Sequence, residues 1–234
     1  LGLATSVPTV VRVNPLTDFH ADNTNAKWFL LAGSGPTGYD GRITQSATVF
    51  AIDMKTGPGS SNSLVSSFPV GTWSSFIGDM TAFDRNLDYR TDVVYFGRTI
   101  QDTTPTVGPP WRGKVYRLTM GETLPFGGVT APGSWGVADS GDRVPTEMLD
   151  TIGVSSPVEM GPVLAAPSIS VDDAAKAWVF VGSGRYFGAA DKTDKSTQYF
   201  VGMKDSVING GCTQVSWGSC MENDLVEVTT ATVC

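Results

Sequence analysis

"KWFLLAGSG" at residues 27–35 and "KAWVFVGSG" at 176–184 set the architecture of this chain. Both carry a lysine and a tryptophan ahead of an apolar run that ends in Gly-Ser-Gly. Short apolar runs that do not alternate with polar residues suit strands covered on both faces. A further strand follows each after a polar loop, "SATVFAID" (46–53) and "STQYFVGM" (196–203). A third copy lies between them, as "DVVYFGRT" (92–99) and "GKVYRLTMGE" (113–122). Each pair is preceded by one more apolar segment: "PTVVRVNPL" (8–16), "SSFIGDMTAF" (74–83) and "GPVLAAPSISV" (161–171). Internal similarity on this scale marks a repeat architecture.

The unit is a run of three strands A, B and C, seen three times, with room for an outer fourth strand near "LVSSFPV" (64–70). Repeated small antiparallel sheets, each packing its face on the next, predict an all-β chain made of consecutive blades of a modified β-propeller. The expected blades span about 8–57, 64–122 and 160–205 within a propeller portion 1–208. Residues 209–234 form a cysteine-containing tail. Three blades do not close a ring, since propellers carry about four to eight. The chain is therefore expected to belong to a larger propeller, the alternative being a sandwich of similar hairpins. A glycine after each B strand permits a turn or a close backbone approach. Residues 57–75, 100–112 and 123–160 read as turn-rich insertions.

Composition narrows the function. Charged residues make up 17% and apolar residues 41% of 234, which describes a folded chain; 27 glycines and 14 prolines favour strands joined by turns. A net charge of −7 lacks the basic footprint of a nucleic-acid binder. No apolar run reaches the length of a membrane span. The start, "LGLATSVPTV", has neither a Met nor a basic segment and reads as a piece of something longer. Cys212 and Cys220 are spaced for a short disulfide loop, with Cys234 left to pair elsewhere. With no CxxC and a single histidine, His20, zinc is not indicated.

The chemistry concentrates in "FDRNLDYRTDVVYFGR" (83–98), between strands A and B of the middle unit. Asp84, Asn86, Asp88 and Asp92 occupy positions 1, 3, 5 and 9 of a D-x-N-x-D-x-x-x-D loop. Calcium takes six to eight oxygens from carboxylates, amides, peptide carbonyls and water. The Arg90 backbone carbonyl at position 7 completes the expected set. An EF-hand is excluded by residue identity, since Tyr89 stands where its Gly belongs and Tyr95 where its Glu belongs. The competing reading is a turn in which the acids bond nearby backbone N–H groups, with Arg85 and Arg90 forming surface ion pairs of little worth. Asp191 and Asp194 read as solvated loop residues.

These stretches resemble the PilY/PilC family of type IV pilus biogenesis and tip-adhesin proteins, whose C-terminal half is a modified β-propeller. The family's apolar strand, D-x-D-x-D-x-x-x-D loop and following hairpin correspond to "MTAFDRNLDYRTDVVYFGRT…WRGKVYRLTM" here. Its next blade corresponds to "WVFVGSGRYFGAADKTDKSTQYFVGM", and the preceding one to "WFLLAGSGPTGYDG…ATVFAIDMKTG". The resemblance covers roughly residues 8–205 and departs at Asn86, where the family often has Asp. It implies calcium at Asp84, Asn86, Asp88, Arg90 and Asp92, and a place at the pilus tip or bacterial surface. It further implies pilins or minor pilins, the remainder of the parent propeller and a host or surface receptor as partners. The implied role supports pilus extension against retraction, adhesion and surface motility.

Two other classes compete. A calcium-stabilised extracellular adhesive propeller unrelated to pili would carry the acidic loop in every blade, whereas two of the three units lack it. A quinoprotein-like dehydrogenase would place a cofactor on the ring axis; the chain has no vicinal cysteine pair and no CxxCH. No enzyme activity is expected.

Overall fold

The structure, a computed structural model, describes residues 2–18, 22–57, 65–102, 110–122, 126–150, 160–205 and 207–208. His20 and the three cysteines, with the expected Cys212–Cys220 loop, lie outside these residues.

Strands β1 (Thr9–Val13), β2 (Lys27–Gly33) and β3 (Ser46–Asp53) form an antiparallel meander, with Val11 opposite Phe29 and Leu31 opposite Ala51. The fourth strand, β4 (Val65–Phe83), belongs to two sheets. Its first half pairs with β3, Val49 opposite Phe68, and its second half pairs with β5 (Val93–Gln101), Phe83 opposite Val93. Pro69 lies in the first half, where β4 is the outer edge and a missing N–H costs no ladder bond. The second sheet continues from β5 to β6 (Trp111–Thr119), then skips the hairpin β7 (Val137–Asp139) and β8 (Asp142–Val144) to reach β9 (Thr146–Asp150). The third sheet is β10 (Ser168–Val171), β11 (Ala177–Gly182) and β12 (Phe200–Lys204).

The chain is thus all-β and built of consecutive antiparallel blades of an unclosed β-propeller. The outer strand expected near 64–70 is the first half of β4, so residues 65–75 are largely strand and not insertion. Residues 126–150 also differ from the insertion expected there. They supply β9, the outer strand of the middle blade, and Trp135, a fully buried side chain. Trp135 sets its ring edge-on to Phe29 at 5.1 Å and stacks on Phe68 at 6.2 Å.

Two cores hold the blades together. Phe29, Leu31, Val49 and Ala51 of the first blade pack against Ile77, Val94, Phe96 and Leu118 of the second. The reverse face of the second, Val93, Tyr95 and Val115, packs against Val179, Val181 and Met203 of the third. Glycines of the first two B strands, Gly33 at the end of β2 and Gly97 within β5, explain the close approach; β5 runs on to Gln101, so the turn expected after the glycine is absent there. A Cβ on Gly33 would stand 2.5 Å from Ile77 Cβ, and one on Gly97 would stand 2.5 Å from Val163 Cβ and 2.6 Å from its carbonyl oxygen. A buried ionic group adds to the second junction. Asp205, fully buried, accepts from Arg117 Nη1 at 2.7 Å and from the Tyr95 hydroxyl at 2.8 Å. Its surroundings supply two more donors, the backbone N–H groups of Val207 and Ile208.

Candidate metal centre

The acidic loop leaves β4 at Phe83 and enters β5 at Val93, at one end of the middle blade. The ladder fixes its exit: Asp92 N–H donates to the Phe83 carbonyl at 2.9 Å, and Met120 N–H donates to the Asp92 carbonyl at 2.9 Å. Between these points the backbone curls through two left-handed residues, Leu87 (φ 57°) and Tyr89 (φ 65°). Non-glycine residues take this conformation rarely. Tyr89 sits at position 6, where an EF-hand uses Gly for its sharp turn. The loop therefore keeps the left-handed turn although it lacks the glycine.

Each predicted ligand has a defined place. Asp84 accepts the N–H of Asp88 at 3.2 Å and of Tyr89 at 2.7 Å. Asp92 accepts the Arg85 N–H at 2.8 Å. Asp88 accepts the Arg90 N–H at 2.9 Å on one oxygen, while the other receives Arg90 Nη1 at 2.8 Å and Asn86 Nδ2 at 3.2 Å. Asn86 is exposed, whereas Asp92 is only 6% exposed.

Burial raises the Asp92 pKa to about 7; the bond from Arg85 opposes the rise, and the negative charges of Asp84 and Asp88 add to it. Asp84 is raised as well, by its own burial first and by the charge of Asp88, against the bonds from Asp88 and Tyr89. The three carboxylates therefore feel one another. Their donor chemistry, carboxylate and amide oxygen with a peptide carbonyl, is that of a hard-cation site. In the loop as folded their oxygens are turned to N–H groups and to Arg90. Among the described residues no three His, Cys, Asp or Glu side chains are gathered as a metal-holding group.

Arg90 departs from the reading of a surface pair. It is 4% exposed, and besides Asp88 it binds the carbonyls of Asn14 (3.0 Å), Pro15 (3.0 Å) and Asp18 (2.8 Å). Arg12 reaches the loop from the first blade, donating to the Tyr89 carbonyl, and Thr91 N–H donates back to the Arg12 carbonyl at 2.8 Å. Two buried arginines thus tie the loop to the first blade, a role that no local pattern announces because the acceptors are carbonyls more than 70 residues away.

Asp191, expected to be solvated, is half-buried in a second cluster. It accepts from Arg185 Nε at 2.9 Å and from the N–H groups of Phe187 and Gly188 at 2.7 and 2.9 Å. Its pKa is held down by these bonds against its burial. Arg185 lies over Trp111 of the middle blade, 3.6 Å from the ring centroid, and donates to the Asp40 carbonyl of the first blade at 3.3 Å. Residues of all three blades meet at this side chain.

No protein-family description and no curated protein matches the chain. Among solved structures, the crystal structure of the Pseudomonas aeruginosa PilY1 C-terminal domain is similar to it, with a TM-score of 0.53, 20% sequence identity and 91% of this chain covered. The chain spans 40% of the length of that one. At this identity the likeness is one of fold. Among the described residues no helix is long and apolar enough to cross a membrane.

Proposed function

We propose that this chain is the calcium-binding portion of a β-propeller that acts with type IV pili at the bacterial surface. Its role is binding, without catalysis. The ion is held by Asp84, Asn86, Asp88, the Arg90 carbonyl and Asp92, and it fixes the loop between the inner two strands of the middle blade. In that position it governs the surface offered to pilins or minor pilins, and to a host or surface receptor, and so the balance of pilus extension, retraction and adhesion. The remainder of the parent propeller is the other partner.

The observation that carries this reading is the buried carboxylate of Asp92, raised to about 7 beside two further acids in a loop curled by Leu87 and Tyr89. A divalent cation would relieve that repulsion. The same loop carries the resemblance to the pilus family, and the fold likeness to the PilY1 C-terminal domain supports the pilus setting.

Calorimetric titration with calcium tests the site. The wild-type chain gives a saturable heat, and Asp84→Ala and Asp92→Ala each remove it while far-ultraviolet circular dichroism stays unchanged. Unchanged affinity in both variants overturns the assignment. The ion pair between Arg90 and Asp88 favours a second reading, in which Arg90 is a built-in counter-cation and the loop needs no metal. On that reading the wild-type chain gives no calcium heat at all.

A further inference from the structure

At the other end of the second half of β4, away from the acidic loop, a cavity of about 590 Å³ opens between the second and third blades. Phe76, Asp79, Leu164, Arg185, Tyr186 and Phe187 are among the residues that line it. The backbone is fixed there by the Asp79 N–H bond to the Leu164 carbonyl at 2.8 Å. Gly78 lets the strands meet, since a Cβ on it would lie 2.6 Å from the Val163 carbonyl oxygen.

The two charged residues of the cavity differ in what is left for a ligand. Arg185 has its charge matched by Asp191 and also meets the face of Trp111 and the Asp40 carbonyl, while its buried Nη1 makes no hydrogen bond among the described residues. Asp79 accepts one neutral N–H, from Val7 at 2.7 Å, and among the described residues it forms no ion pair. The uncompensated charge is therefore negative. It stands in a wall with the rings of Phe76 and Phe187, whose centroids are 5.6 Å apart at 79°. Tyr186, 64% exposed, adds a third ring to the lining.

An apolar cavity with aromatic rings and one unpaired carboxylate has the chemistry that recognises an ammonium or guanidinium group. The charge pair gains strength because the cavity wall displaces water. We propose that this cavity binds a lysine or arginine side chain presented by an extended segment of a partner protein. The cavity exceeds the volume of one such side chain, and exposed Thr5 and Tyr186 leave room for the partner's backbone across the mouth. The site is independent of calcium.

The test uses the full chain, labelled with nitrogen-15, and the blocked tripeptide acetyl-Ala-Lys-Ala-amide as probe. Saturable shifts of the Gly78 and Gly184 amide resonances are expected. The same peptide acetylated on the lysine Nζ binds ~10-fold more weakly or worse, the scale of a lost charge-assisted bond. Asp79→Asn keeps an acceptor for Val7 and loses affinity by a similar factor. Phe187→Leu weakens binding through the ring, and Asp92→Ala leaves it unchanged. Equal binding of the acetylated peptide, full affinity in Asp79→Asn, or no shift at either glycine overturns the proposal. Failure of the calcium titration leaves this result untouched, so the two readings fall separately.

Discussion

Asp92 stands at the mouth of β5 as an acid the fold has largely removed from water, with its pKa raised to about 7. Its unfolded value lies near 3.8. Between those values the native state holds a proton that the unfolded state has released, so stability falls as pH rises through that window. Each unit of separation is worth ~1.4 kcal/mol. Urea denaturation in chelator across that range should show the decline, with Asp92→Asn flattening it and excess calcium reversing it near pH 7. A wild-type slope equal to that of Asp92→Asn would remove the basis of the argument. The positions of the four polar residues were legible in sequence because their spacing is local. The pairing of Arg90 with an acid of the loop was legible only as a surface contact; its burial was not, since Arg90 also serves Asn14, Pro15 and Asp18, which only the packed blades bring near.

Strands were legible for much of the repeated apolar run: β3 occupies residues 46–53, the stretch quoted for it, and β2 and β11 end at the first glycine of each Gly-Ser-Gly, whereas β10 and β12 begin only at Ser168 and Phe200 within the stretches 161–171 and 196–203. The strand β9 was not, because "TEMLD" is short and mixes charged with apolar residues, and it gains strand character from pairing with β6. Trp135 likewise sits in a Gly/Pro-rich stretch whose burial depends on Phe29 and Phe68. The glycine in each B strand does have an element-level consequence. Gly97→Ala places a methyl group against Val163 Cβ and its carbonyl oxygen, both within 2.6 Å, and backbone cannot swing aside. Overpacking of this kind costs ~1–3 kcal/mol. Gly188→Ala, with nothing within 4 Å, serves as the control and should be near neutral. Equal thermal stability of the two variants would count against the close-packed junction.

Across the whole molecule the two outermost sheet faces differ from the two internal ones. Trp178, Phe180 and Phe200 stack in a row on the third blade, Phe200 being 70% exposed, and Val10 and Trp28 lie open on the first. In the first two blades the B-strand glycine receives a residue of the next, Ile77 on Gly33 and Val163 on Gly97. Gly182 occupies the same place in the third, and among the described residues a Cβ there would meet only the Phe200 ring, at 3.9 Å. The third blade thus repeats the face by which the others seat a successor. Exposed apolar patches of this sort promote association. Sedimentation of the chain alone should show concentration-dependent self-association, and Phe200→Lys should reduce it. A monodisperse, cooperatively unfolding monomer would argue against an incomplete propeller.

The strand β4 serves two sheets at once, as the outer edge of one blade and the inner strand of the next. Under a mechanical load this makes the first two blades a single unit. Tension entering either ladder passes along one continuous backbone into the other, with no slack segment to pay out between them. The role proposed above would expose the chain to such loads, and at this junction its first two blades would yield together.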